Sequence, residues 1–209
     1  MTRYLKSPTT WLVIVLATAF VLIGLAVYKP AHAADKGKAP PVSRAEAEKI
    51  APTSPWTAFY AGGSLGAVAG VHDAGYGLDG WQYGGIAGVD MQINQIVIGA
   101  RVTHDRKKVE FGGTSIDANA TAFGGRAGVL VAPSALAYGC VDRVQKLKID
   151  GVGDTSGLKV CGGIEALMRN DVSVALEYGR ATYEDLSDAR EHTFTLRGVY
   201  RFQAPGINR

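Results

Sequence analysis

The sequence predicts an all-β protein, an eight-stranded antiparallel up-and-down transmembrane β-barrel. Three observations carry that prediction. From Trp56 onward, apolar residues alternate with small or polar ones in eight separate runs, the period of a strand with unlike faces. Most of these runs have about the length of a tilted membrane strand, on the order of 9–11 residues. Their connections alternate between short and long, the plan of a barrel with short periplasmic turns and longer external loops.

The N-terminus differs in texture from the rest. "MTRYLK" supplies Arg3 and Lys6, residues 11–28 are uncharged and apolar, and "AHA" at 31–33 offers a small-x-small cleavage pattern after Pro30. This order reads as a secretory signal peptide, residues 1–33, with an uncleaved inner-membrane anchor as the alternative. Residues 34–55, "ADKGKAPPVSRAEAEKIAPTSP", read as a flexible periplasmic leader. The barrel is assigned to 56–202 and a C-terminal extension, "QAPGINR", to 203–209.

The 22 basic and 19 acidic residues give the whole chain a charge of +3. Arg3, Lys6 and Lys29 lie in 1–33, which holds no acidic residue. Export therefore leaves a neutral chain, and the basic balance gives no support for nucleic-acid binding.

The eight runs are 58–69, 81–93, 95–104, 119–132, 135–145, 157–168, 172–182 and 192–202. Glycine is frequent among them and no run has helical periodicity. The short connections are "NQ" (94–95), "PS" (133–134) and "RND" (169–171). The long ones are 70–80, 105–118, 146–156 and 183–191, and they carry most of the charge outside the runs.

The faces follow from parity. Ile96, Ile98, Ala100 and Val102 share one face against Arg101 and Thr103. Thr121, Phe123, Ala127, Val129 and Val131 oppose Arg126. Leu158, Val160, Ile164, Ala166 and Met168 oppose Lys159, Cys161 and Glu165. Val172, Val174, Leu176 and Tyr178 oppose Ser173 and Glu177, and Phe194, Leu196, Tyr200 and Phe202 oppose Thr193, Thr195, Arg197 and Arg201. The polar face thus collects Arg101, Arg126, Arg197 and Arg201 with Glu165 and Glu177. In a soluble β-sandwich these charges meet water. In a small closed barrel they fill the lumen and must pair. With no amphipathic helix to cover a greasy face, the barrel is the reading preferred. Trp81, Tyr83, Tyr178, Tyr200 and Phe202 then fall near strand ends on the lipid side, as aromatic girdles.

"WTAFYAGGSLG" at 56–66, "LEY" at 176–178 and "RGVYRF" at 197–202, behind the leader "KGKAPPV", carry a resemblance. The chain resembles the small eight-stranded outer-membrane barrels of alphaproteobacteria, the porin-family surface antigens of the OmpA-like transmembrane-barrel group. The resemblance implies an integral outer-membrane protein without cofactor. It also implies that the barrel-assembly machinery reads the terminal aromatic residues, here Tyr200 and Phe202. Two departures are Ala58, where the family often has Gly, and the extension beyond Phe202.

Cys140 and Cys161 are the only cysteines, and they flank the 146–156 connection symmetrically. Cross-strand Cβ atoms lie about 4.5–5.5 Å apart, near the upper edge of disulfide reach, so a staple and two free thiols are both open. His72, His104 and His192 fall at outer strand ends or loops, and with Ser115 and Asp105 they are the material for a lipid-modifying barrel enzyme. No spacing singles them out. The sequence thus favours a non-enzymatic outer-membrane barrel with a structural or surface-interaction role. Its partners are outer-membrane lipid, the assembly machinery and a surface or host ligand at the outer loops, with no nucleic acid, no metal and an unassigned oligomeric state. The alternatives are a narrow pore for small solutes and the enzyme.

Overall fold

The computed structural model describes residues 54–202 apart from 72–76, 112–113, 150–152, 170 and 185–189. The expected signal peptide, nearly all of the leader, the C-terminal extension and His72 lie outside the described residues.

Eight strands follow one another around a closed barrel: β1 (Ala58–Val71), β2 (Gly77–Ile93), β3 (Ile96–Phe111), β4 (Thr114–Ala132), β5 (Ala135–Ile149), β6 (Gly153–Arg169), β7 (Val172–Tyr183) and β8 (Arg190–Phe202). Every neighbour pair is antiparallel, and β8 closes on β1 with Phe202 opposite Phe59 and Arg197 opposite Ser64. Closure leaves no unpaired sheet edge, which is the condition for placing strands in hydrocarbon.

The alternation in the sequence becomes two unlike faces. Val97 is fully buried, whereas its neighbours Ile96 and Ile98 are 54% and 40% exposed. Phe123, Val141, Val160, Ile164 and Tyr200 are similarly exposed, while Thr195, Glu177 and Arg201 are buried. The barrel is inverted relative to a water-soluble sheet, with its apolar face outside and its charges inside.

The strands are longer than their apolar runs. β3 continues to Phe111 instead of stopping at 104, β4 begins at Thr114 instead of 119, and β2 begins at Gly77 instead of 81. The expected long connections at 70–80, 105–118, 146–156 and 183–191 shrink accordingly, and 105–118 becomes mostly a paired hairpin. In "HDRKKVE" the outward residues His104, Arg106, Lys108 and Glu110 are as polar as the inward Asp105 and Lys107. Ladder hydrogen bonds need no contrast between faces, but recognition from hydrophobic alternation does. Trp81 and Tyr178 therefore sit within their strands, with paired polar strand beyond them.

The turn between β2 and β3 is "NQ", where Asn94 adopts φ 56°. Asn tolerates this left-handed conformation, which suits a two-residue hairpin. Inward glycines give large lumen side chains their room. A Cβ at Gly88 would lie 2.5 Å from both Tyr60 Oη and the Ala100 carbonyl oxygen. Gly88→Val is therefore expected to lower stability by about 1–3 kcal/mol through overpacking. Urea unfolding of the lipid-embedded protein, followed by tryptophan fluorescence, reads this directly.

Candidate functional site

Alternation sends a charged side chain inward from nearly every strand, and closure brings these side chains together. Among the described residues, Arg101, Lys107, Arg126, Lys159, Arg197 and Arg201 share the lumen with Asp90, Asp105, Asp142, Glu165, Glu177 and Glu191. The described residues thus give the lumen six cations and six carboxylates. An unpaired ion there would be costly, and numerical balance permits full pairing.

The pairs form three levels. Nearest the short turns, Arg126 Nη1 donates to Glu165 Oε2 at 2.6 Å and Nε to Asp90 Oδ1 at 2.9 Å. Arg201 bridges the same two acids, at 2.5 Å to Glu165 Oε1 and 3.0 Å to Asp90 Oδ2. Ser173 Oγ adds a donor to Glu165 Oε1 at 2.5 Å. The guanidinium faces are covered too. Arg126 lies 4.9 Å from the Tyr60 ring centre and 5.1 Å from that of Tyr138, and Arg201 lies 4.6 Å from the Trp56 ring.

The middle level centres on Glu177, which is fully buried. It accepts from Arg101 Nη1 at 2.6 Å, Arg197 Nη2 at 2.9 Å, Tyr138 Oη at 3.2 Å and Lys159 Nζ at 3.3 Å. Arg101 is also bidentate to Asp142, with Nε to Oδ1 at 2.9 Å and Nη2 to Oδ2 at 2.5 Å. Toward the external end, Lys107 pairs with Glu191, and Tyr183 Oη donates to Glu191 Oε2 at 3.0 Å. Outside the membrane, Ser156 and Arg143 bind Glu184 and together hold its carboxyl below the usual carboxylate range.

The base is closed by the end of the leader. Trp56 is fully buried, its Nε1 donates to the Pro133 carbonyl at 3.2 Å, and Thr57 Oγ1 accepts from Gln92 N at 3.0 Å. Trp56, Val97, Leu136 and Leu167 form an apolar floor beneath the ion pairs.

Cys140 and Cys161 are directly opposite each other on β5 and β6, with Cα atoms 4.9 Å apart and sulfurs at disulfide distance. Both face the lumen, and Arg101 Nη2 lies 2.9 Å from Cys161 Sγ. Intact mass without reductant is expected to show the bonded form. Cys140→Ser with Cys161→Ser is expected to cost about 2–4 kcal/mol in urea unfolding, because the bridge closes a loop between residues 21 apart and so restricts the unfolded chain.

Among the described residues, His104, His192, Ser115 and Asp105 are not brought together. His104 points outward and bonds Thr121 Oγ1 at 2.9 Å, while its neighbour Asp105 points inward and accepts from Ser64 at 3.0 Å. His192 bonds Tyr178 Oη at 2.6 Å, and Ser115 is exposed opposite Glu110. Tyr200 and Phe202 pack edge to face at 4.9 Å on the lipid side.

Reading for arginine and glutamate missed Asp90 and Asp142, the second partners of Arg126, Arg201 and Arg101, and it did not place Asp105, Lys107 and Glu191 in the lumen. The parity of Asp90 and Asp142 was available: Val89 and Met91 flank Asp90, Val141 precedes Asp142, and all three are exposed. Trp56, Tyr60 and Tyr138 were missed as guanidinium partners because aromatic residues were read for the membrane face.

Residues 39–202 match the family described as outer membrane protein beta-barrel domain. Among solved structures, the chain is similar to Neisserial surface protein A, with 15% identity, a TM-score of 0.56, and coverage of 69% of this chain and 97% of that one. It also matches Ail, the attachment invasion locus protein of Yersinia pestis, at 14% identity and TM-score 0.46, covering 68% of this chain and 98% of that one. OprG from Pseudomonas aeruginosa matches at 12% identity and TM-score 0.45, covering 71% and 97% respectively. At 15% identity the likeness to Neisserial surface protein A is one of fold. No curated protein matches the chain in sequence.

Proposed function

The chain belongs to the outer membrane protein β-barrel family, and on that premise we propose a non-enzymatic integral barrel with a structural or surface-interaction role in the Gram-negative envelope. One observation carries this reading. The lumen is filled by mutually bonded cations and carboxylates above a floor sealed by Trp56. A barrel packed in this way offers its wall to lipid and its external hairpins to the surface. The β3–β4 hairpin, with its polar outward residues, is the extended element for recognition by a surface ligand.

The "WTAFY" opening and "RGVYRF" ending support placing the chain with the alphaproteobacterial porin-family surface antigens. Tyr200 and Phe202, exposed at the end of β8, are its proposed assembly signal. Planar-bilayer recording tests the role. Purified folded protein is expected to give no unitary steps, and reproducible steps would favour the narrow pore.

A further inference from the structure

We infer that the Cys140–Cys161 bond is a register pin, made on the open β5–β6 hairpin before the barrel closes, and that a periplasmic protein disulfide is the oxidant that supplies it. The inference rests on the outer-membrane reading and adds to it an order of events and a class of partner.

Burial sets the order. Cys140 and Cys161 are 4% and 7% exposed and share a buried cluster with Trp56, Val97, Leu136 and Leu167. On the lumen side Arg101 Nη2 lies 2.9 Å from Cys161 Sγ, and Asp142 Oδ2 lies 3.6 Å from it. Glu177 Oε2 lies 3.8 Å from Cys140 Sγ. On the outer side Gly139 leaves a groove beside Cys140, but it opens between Val89, Met91, Ile98 and Val141 on the lipid face. Thiol–disulfide exchange needs a thiolate in contact with the sulfur it attacks. Hydrocarbon does not carry an unpaired thiolate, and the lumen side is occupied by the ion pairs. With both sulfurs so covered, a soluble oxidant cannot contact them in the closed barrel.

The contact itself does not need closure. The cysteines are 21 residues apart on consecutive strands. The ion pairs around them join more distant residues, 39 apart for Arg126–Glu165 and 76 apart for Arg101–Glu177, and form across the lumen. A hairpin alone brings the two sulfurs together, at the entropy of one short loop. On that open hairpin both thiols meet water. One thiolate attacks a sulfur of the oxidant's disulfide, giving a mixed disulfide and one oxidant thiolate. The other cysteine's thiolate then attacks the cysteine sulfur of the mixed disulfide, which forms the Cys140–Cys161 bond and frees the second oxidant thiolate. Two electrons and two protons pass to the oxidant, which leaves as a dithiol.

The surrounding residues explain why a pin is needed here. Tyr138 faces Gly163, Gly139 faces Gly162 and Cys140 faces Cys161. Two facing glycines make no cross-strand side-chain pair, and a slip of two residues keeps every side chain on its own face. Further out, the same hairpin changes register between Val144 and Leu147. Alternation therefore holds the faces of β5 and β6 but not their pairing, and a bond between directly opposed residues selects one pairing.

The test uses the purified full chain in bonded and reduced forms, with oxidised glutathione as oxidant and dithiothreitol as reductant. Intact mass after alkylation in urea reads the bond, and heat-dependent gel mobility in phospholipid vesicles reads folding. Oxidation of the reduced form and reduction of the bonded form are each expected to be at least about a hundredfold slower in the closed barrel than in urea, because exchange there waits on the small unfolded fraction. The bonded chain is expected to fold into vesicles about tenfold faster than the reduced chain, since the pinned hairpin is already native when the barrel closes. A reduced chain that fails to fold supports the pin, and the reductant arm on the bonded barrel still reads access. Comparable exchange rates in the closed barrel and in urea would overturn the order of events. Equal folding rates of the two forms would overturn the register role. Cys140→Ser with Cys161→Ser should fold at one rate with or without oxidant, and a rate that still responded to oxidant would assign the effect to the reagents and overturn the role as well. Failure of the barrel reading would show separately, as absence of heat-dependent gel mobility in the bonded form.

Discussion

Glu177→Ala is expected to destabilise the folded barrel by about 3–5 kcal/mol, the usual consequence of removing one partner from a buried ion pair. The carboxylate accepts from Arg101, Arg197 and Lys159 at one point in the lumen. Without it, Arg197 keeps none of the bonds just named, and its Nε and Nη1 already have no partner among the described residues. Those cations would then have to draw in water or break the neighbouring pairs. The readout is the urea midpoint of protein refolded into phospholipid vesicles. Glu184→Ala is the control. Its carboxylate is also bonded to an arginine, Arg143, but both side chains are about half exposed. Solvent screens that pair, and its loss is expected to leave the midpoint in place. Equal shifts for the two variants would contradict a sealed, ion-paired lumen.

Ile164→Arg is expected to cost about 2–4 kcal/mol in a bilayer, the penalty for arginine at the lipid face near mid-membrane. Ile164 is 49% exposed near the centre of the apolar face of β6, next to the buried Glu165. In water the same substitution on an exposed strand falls within about 0.5 kcal/mol of neutral. One residue therefore separates a lipid-facing wall from a solvated one. Vesicle unfolding of this variant beside the parent protein gives the difference, and a neutral result would turn the apolar face toward water.

Strand number, strand order and the identity of each face were legible because period-two alternation is strong wherever one face meets lipid. Ile96, Ile98 and Val102 outside against Arg101 inside is such a stretch. The outer third of the barrel was not legible for the same reason. Beyond His104 both faces of β3 are polar, so pairing continues without an amphipathic signature. The lumen arginines could be read from parity, but their partners could not. Arg126 meets Glu165 from two strands away and Asp90 from two strands in the other direction. Such cross-lumen pairing depends on barrel closure and stagger, which no local pattern encodes. The place of Trp56 beneath Arg201 was hidden likewise, because it depends on where the leader turns at Ser54–Thr57.

Val97 and Ile98 give the most direct test of the inverted barrel, since they are adjacent and face opposite ways. Methyl NMR of the protein in lipid nanodiscs can detect cross-peaks to lipid acyl-chain protons. Ile98, Ile164 and Leu196 are expected to show them, while Val97, Leu136 and Val199 show none. Acyl-chain contacts at Val97 or Leu136, with none at Ile98, would place the arginine face toward the membrane environment and contradict the lumen described here.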